Sequence, residues 1–180
     1  MKKIEVSIEG TSPLLMHAIG VKAMESMMKK SKKTVQNYDP KEDAEDAAYR
    51  MKSGELHIPA RCMKACIVNA SAWYKMGRRS AKQYVAGATL IEPVEIPLGT
   101  KKYEIDLRPV VIQRARVIRA RPKLEEWGCQ FRIVYNQDIF SDTGMLKQIV
   151  EEAGIRIGVL DNRPQKGGEN GAFKITGWKI

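Results

Sequence analysis

Basic side chains carry most of the chemistry in this 180-residue sequence, and they are clustered. Arg108, Arg114, Arg116, Arg119, Arg121 and Lys123 fall within residues 108–123 with no acid among them. All but Lys123 are arginine, whose planar guanidinium suits phosphate binding and base stacking better than an ammonium does. They are interleaved with Val, Ile and Ala, which predicts extended strand rather than loop. A second cluster, Lys75, Arg78, Arg79 and Lys82, surrounds Gly77. A third, Lys22 with Lys29, Lys30, Lys32 and Lys33, has little apolar periodicity and reads as a solvated loop. Residues 39–56 hold Asp39, Glu42, Asp43, Glu45, Asp46 and Glu55, so an acidic segment offsets part of the excess. Segregated charge of this kind creates a local positive field that an even spread would not. The expected partner is a polyanion. Nucleic acid is favoured over an anionic membrane surface, because no basic amphipathic helix with a bulky apolar face accompanies the cluster.

Catalytic and metal-binding patterns are sparse. The two histidines are His17 and His57, and neither stands beside a nucleophile in any known spacing. His17 follows the apolar Leu14-Leu15-Met16 run, where it is a candidate general base for cutting RNA but reads first as a polar residue at a loop edge. Cys62 and Cys66 share one face of a predicted helix. Sharing a metal with His57 or Cys129 is the alternative to apolar packing, and the spacing is not that of a zinc-binding pair. Asp138, Asp142 and Asp161 form no metal motif. No cofactor is expected.

The glycine-rich segment Gly154–Gly171 is neither a Walker loop nor a dinucleotide fingerprint. Two readings fit it equally. Its backbone N–H groups approach a phosphate beside Arg163 and Lys166, or Gly167, Gly168 and Gly171 simply supply the positive φ of a connection. Aromatic residues are few. Tyr84 follows Arg78, Arg79 and Lys82 closely enough to stack on a base, while Trp73 and Trp127 fit core positions.

The elements that position these groups follow from the rest of the chain. With 43% hydrophobic and 29% charged residues and a net charge of +10, it reads as one globular unit, 1–180. No apolar run reaches the roughly 20 residues of a membrane span. MKKIEVSIEG lacks a signal peptide's apolar core, and three unpaired-looking cysteines fit a reducing cytoplasm. Ile4, Val6 and Ile8 predict a half-buried strand. Asp39-Pro40 is a helix start, an N-cap followed by Pro, with the helix expected to reach Met51. Pro59 opens the longest predicted helix, through Met63, Cys66, Ile67, Ala70, Trp73 and Tyr74, closed at Gly77. Residues 127–135 alternate as a strand, and Asp142 caps a helix through Leu146, Ile149 and Val150. The order predicts an α+β fold of the ferredoxin-like (RNA-recognition-motif-like) kind, an antiparallel sheet with helices on one face. Residues 20–52 read as a helical insertion and 88–121 as an extended projecting β-hairpin.

Three segments resemble the RAMP superfamily, the repeat-associated proteins that form the backbone of CRISPR effector complexes. Ile8-Glu9-Gly10-Thr11-Ser12-Pro13-Leu14 looks like that family's opening strand and loop. Leu56-His57-Ile58-Pro59-Ala60-Arg61-Cys62-Met63-Lys64-Ala65 is similar to its strand followed by Ile-Pro-Gly-Ser-Ser-Leu-Lys-Gly, with Ala60 and Ala65 standing where glycines are usual and Lys64 matching the family lysine. Gly158 to Phe173 resembles its late glycine-rich loop. The resemblance implies a ferredoxin-like core with a projecting hairpin, single-stranded RNA bound through its backbone, and subunits that stack along the strand. Members that cleave target RNA share an acidic residue on the loop after the first strand. Thr11, Ser12 and His17 stand there instead, so that activity is not expected. The short length and altered glycines fit a stand-alone or phage-encoded relative.

The leading expectation is therefore non-enzymatic binding of single-stranded RNA, or single-stranded DNA, by an Arg-rich face. Its residues would be Arg61, Lys64, Arg78, Arg79, Lys82, Arg114, Arg116, Arg119, Arg121, Arg163 and Lys166. The alternatives are a metal-independent endoribonuclease using His17, and a protein-interaction module that occupies a subunit position in a nucleoprotein assembly.

Overall fold

Ile4, Val6 and Ile8 are buried while Lys3, Glu5 and Glu9 are exposed and Ser7 is half-buried, and this period of two sets the main sheet. The computed structural model describes residues 1–20, 24, 28, 38–112 and 115–180. In chain order its strands and helices begin with β1 (Lys2–Gly10), β2 (Leu14–Leu15), α1 (Pro40–Asp46), β3 (His57–Pro59) and α2 (Ala60–Ala70). There follow β4 (Lys75–Met76), β5 (Arg79–Ser80), α3 (Lys82–Ala88), β6 (Thr89–Glu92) and β7 (Glu95–Pro97). The chain finishes with β8 (Glu104–Ile112), β9 (Ala115–Leu124), β10 (Gly128–Tyr135), α4 (Gly144–Glu152) and β11 (Phe173–Lys179).

The main sheet has the order β11-β1-β10-β6, antiparallel throughout. Helix α2 is the longest of the three described helices between its first two strands in the chain, and α4 separates its last two. Both lie on one sheet face and touch each other there. They bury Met63, Cys66, Ile67 and Ala70 from α2 and Leu146, Ile149 and Val150 from α4. These pack in one cluster with Ile4, Val6, Ile8, Phe131 and Ile133 of the sheet. Each such aliphatic or aromatic side chain contributes about 1.5–3 kcal/mol by leaving water. The α+β class and the one-sided placement of helices agree with the sequence pattern.

Several boundaries differ from the sequence reading. The projecting hairpin is β8–β9, residues 104–124, rather than 88–121. Residues 89–92 belong to the main sheet, and Glu95–Pro97 pairs with β3. The hairpin's base is fixed by β2, which pairs Leu14 with Leu124 and Leu15 with Lys123. Helix α1 begins where Asp39 and Pro40 place it, the Asp39 carboxylate accepting from the Lys41 N–H at 2.8 Å, but it ends at Asp46 rather than Met51. Beyond it Arg50 is spent on the Gly54 and Lys101 carbonyls and the Glu45 carboxylate. Much of the expected insertion 20–52 lies outside the described residues. No helix among those described is long and apolar enough to cross a membrane.

Candidate nucleic-acid interface

A cavity of about 260 Å³ lies between α2 and the loop after α4. Cys62, Ala65, Cys66 and Asn69 line it from one face of α2, Ile157, Leu160, Asp161 and Arg163 from the loop, and His17 and Tyr49 from the side. Arg121 reaches it from β9, its Nη1 lying 2.9 Å from Asp161 Oδ2, with its side chain only 15% exposed. His17 Nδ1 stands 3.6 Å from the same carboxylate oxygen. The nearby His17 imidazole and then the Arg121 charge hold the Asp161 carboxyl below its usual range, against burial that pushes it up. Leu160 and Asn162, on either side of Asp161, both adopt positive φ (62° and 50°). A left-handed backbone is costly for such residues. It is held here by the Asp161 N–H bond to the Leu15 carbonyl and by the Arg163 Nη1 bond to Leu160 O, 2.9 Å.

Arg61 opens α2 at the edge of this cavity. Burial pushes both the Tyr49 hydroxyl and the Cys62 thiol up, and the Arg61 charge beside them works in the opposite direction. Arg163 thus lines the cavity, Arg61 lies beside its lining residues Tyr49 and Cys62, and Arg121 is paired with its one lining carboxylate, Asp161. Lys166 is exposed on the short 3₁₀ turn Pro164–Lys166 of the same loop.

The remaining basic residues take other positions. Arg119 is turned onto α1, its Nη1 lying 3.2 Å from Asp43 Oδ1. Arg116 is exposed opposite Val111 near the hairpin's tip. Strand alternation puts it on the face carrying Leu107, Val111 and Ile118, away from Arg119 and Arg121. Arg78, Arg79 and Lys82 are exposed on the small β4–β5 hairpin and at the start of α3, and no carboxylate among the described residues pairs with them. Arg114 lies outside the described residues, as do Lys22 and the Lys29–Lys33 run. Lys64 corrects the expectation. Its Nζ donates to the carbonyls of Val85 (2.9 Å) and Thr89 and to Thr89 Oγ1, so it holds the end of α3 and has no donor left for a phosphate.

No family model matches this sequence, and no curated protein matches it. The solved structures similar to it include two from CRISPR complexes. One is a chain from the cryo-electron-microscopy structure of type III-B Cmr-beta bound to cognate target RNA. The identity is 14% and the TM-score 0.49, over 98% of this chain and 59% of that one. The other is a chain of a CRISPR RNA-guided surveillance complex, with 11% identity and a TM-score of 0.35, over 84% of this chain and 58% of that one. The sequence thus spans less than two thirds of the length of either chain.

The glycine-rich loop resolves in favour of its conformational reading. Gly167 and Gly171 have φ of +77° and +73°, whereas Gly168, expected to share that conformation, does not and is needed because a Cβ there would meet the Asn162 carbonyl oxygen at 2.0 Å. The N–H groups of Gly158, Gly167, Gly168 and Gly171 all bond internal carbonyls, of Ala153, Pro164, Arg163 and Pro13, which leaves no amide cradle for a phosphate. The loop is sewn to the segment after β1 by Asn170 Nδ2 to Pro13 O (3.2 Å) and by the Ala172 N–H to Ser12 Oγ (3.0 Å). His57 is buried between elements, edge-on to Tyr49, and burial lowers its pKa. Cys66 donates to Ala153 O, and burial pushes the Cys129 thiol up to about 12. Cys62, Cys66, Cys129 and His57 do not converge, and the described residues hold no metal-ligating cluster. Tyr84 packs partly buried against the core, whereas Trp73, expected in the core, is 55% exposed. Trp127, at 6%, is buried as expected, with its Nε1 donating to Ser12 O.

Proposed function

We propose that this protein binds single-stranded nucleic acid, RNA in preference, through its phosphate backbone. Arg163 in the cavity lining and Arg61 beside it, neither with a carboxylate partner among the described residues, carry the reading, while Arg121 is already neutralised by Asp161. Lys166, Arg78, Arg79, Lys82 and Arg116 are exposed cations that extend the positive surface. Phosphate neutralisation by several such cations releases counterions, so affinity falls with salt at a log–log slope of about −0.7 per contacted phosphate. The preference for RNA rests on the sequence resemblance to RAMP proteins, since phosphate contacts do not sense the 2′-hydroxyl. The test is the affinity of a fluorescent single-stranded RNA measured across a salt series. A slope of several units is expected, reduced by Arg61→Ala and Arg163→Ala. A flat salt dependence overturns the reading.

The His17–Asp161 pair favours one second reading, a metal-independent endoribonuclease. A carboxylate beside an imidazole orients it, and an oriented imidazole can take the proton of a 2′-hydroxyl as that oxygen attacks the adjacent phosphorus and the P–O5′ bond breaks, leaving a 2′,3′-cyclic phosphate and a 5′-oxygen that takes its proton from water. It predicts that RNA is cut in chelator, that DNA is not, and that His17→Ala abolishes the cut while RNA remains bound. RNA left intact after long incubation disposes of it.

A further inference from the structure

Trp73 stands at the end of α2 in a 3₁₀ turn, Ser71–Trp73, with more than half of its surface open to water. The turn is fixed from beneath. Ser71 is fully buried, and its hydroxyl donates to Val68 O at 2.7 Å. The Arg156 guanidinium carbon lies 5.2 Å from the centroid of the Trp73 ring, and Glu152 holds that arginine from behind with an Nε–Oε2 distance of 2.7 Å. The β4–β5 hairpin, whose ladder the Ala81 N–H bond to Tyr74 O continues, touches the same turn through the Ser80 hydroxyl donating to Ala72 O, 3.5 Å. Lys75, Arg78, Arg79 and Lys82 are exposed on that hairpin and at the start of α3, the elements that follow the turn. An isolated exposed apolar residue needs no explanation. A fixed indole with a guanidinium against it, itself held by Glu152, beside a hairpin whose exposed cations have no carboxylate partner among the described residues, does.

We propose that Trp73 and Arg156 form a nucleobase-stacking platform, a site separate from the arginine-lined cavity. The inference rests on the nucleic-acid reading above and gives that ligand a second point of attachment. An indole face and a guanidinium plane are the two surfaces on which bases of a single strand stack irrespective of sequence. The neighbouring positive charge matches the flanking phosphates. The two sites are also in line. Cys62, Ala65 and Asn69 face the cavity along α2, and Trp73 continues that row one turn beyond; Ile157 lines the cavity while its neighbour Arg156 covers the indole. From Arg61 to Trp73 the helix rises on the order of 18 Å, a span for several nucleotides rather than one. A strand anchored by phosphates at the Arg61 end would lay a base on Trp73 at the other.

The test compares a short oligouridine with inorganic polyphosphate, a polyanion without bases, on the full chain. Trp73→Ala is expected to weaken oligouridine binding roughly tenfold and leave polyphosphate binding unchanged, since stacking is lost and charge is not. Trp73→Phe keeps a ring and is expected to retain affinity within about threefold, while losing the quenching of tryptophan fluorescence that oligouridine causes in the unaltered protein. Arg78→Ala with Arg79→Ala should weaken both ligands alike. Unchanged oligouridine affinity in Trp73→Ala overturns the platform, as does an equal loss for both polyanions. An unaltered protein that binds neither polyanion overturns the phosphate-binding reading instead.

Discussion

Lys64 shows how a residue of the right type and position can serve the fold instead of a ligand. All three protons of its ammonium point at oxygens of Val85 and Thr89, and burial pushes its pKa down from 10.5 to about 8. Between those two values the unfolded chain holds a proton that the folded chain has released. Stability contributed by this group therefore rises as pH climbs from about 8 to 10.5. At neutral pH, Lys64→Ala strands buried carbonyl oxygens and should cost about 1–3 kcal/mol, a drop in Tm of roughly 2–10 °C for a chain of this size. Thermal unfolding at pH 7 and pH 10 checks both statements. The wild-type advantage over Lys64→Ala should widen at the higher pH. Binding to RNA by the folded variant should keep its salt slope, and a fall in that slope would return Lys64 to the interface.

At the scale of elements, the acidic helix α1 and the hairpin are one unit. Asp43 accepts from the Ala120 N–H at 2.9 Å, from Tyr38 at 3.1 Å and from Arg119 at 3.2 Å. One carboxylate thus caps the free edge of β9, where an unpaired strand would otherwise invite another chain, and neutralises an arginine of the basic stretch. Asp43→Asn keeps an acceptor for the Ala120 amide and removes the charge. It is expected to leave Tm within about 1 kcal/mol of stability and to strengthen RNA binding at low salt, steepening the salt slope by up to about 0.7 as Arg119 becomes free. Anisotropy titrations at two salt concentrations decide it, an unchanged slope removing Arg119 from the interface.

The same unit explains what the sequence could and could not reveal. Asp39 as a helix cap was legible because its partner, Lys41, is two residues away. The hairpin's alternation was legible too, although its start was misplaced by 16 residues, 88 against Glu104. The acid-free look of residues 108–123 was misleading for Arg119 and Arg121, because Asp43 and Asp161 arrive from distant parts of the chain. Trp73 continued the apolar spacing of α2 and so read as core. Periodicity gives a direction around a helix axis, not the length over which another element covers it, and the α-helix ends at Ala70.

For the whole molecule, the net charge of +10 overstates what is free to meet a polyanion. Ion pairs hold Arg119, Arg121 and Lys123, whereas Lys75, Arg78, Arg79 and Lys82, which follow the Trp73 turn, have no carboxylate partner among the described residues. The α+β arrangement followed from local patterns, because each strand and helix of the core carries its own period. The cavity did not. It is assembled from β1's following loop, α2, β9 and the loop after α4, and no window of sequence contains more than a part of it.

The central place of β1 has a consequence for the chain during its synthesis. Lys2 pairs with Tyr135 on one side and Glu5 with Lys179 on the other. β1 thus waits for β10 and β11, which lie far along the chain. At about 5–20 residues per second that wait is on the order of ten seconds, during which Ile4, Val6 and Ile8 have no sheet partner. That apolar edge is open to wrong contacts in the meantime, so the yield of folded protein should respond to translation speed more than its equilibrium stability would suggest.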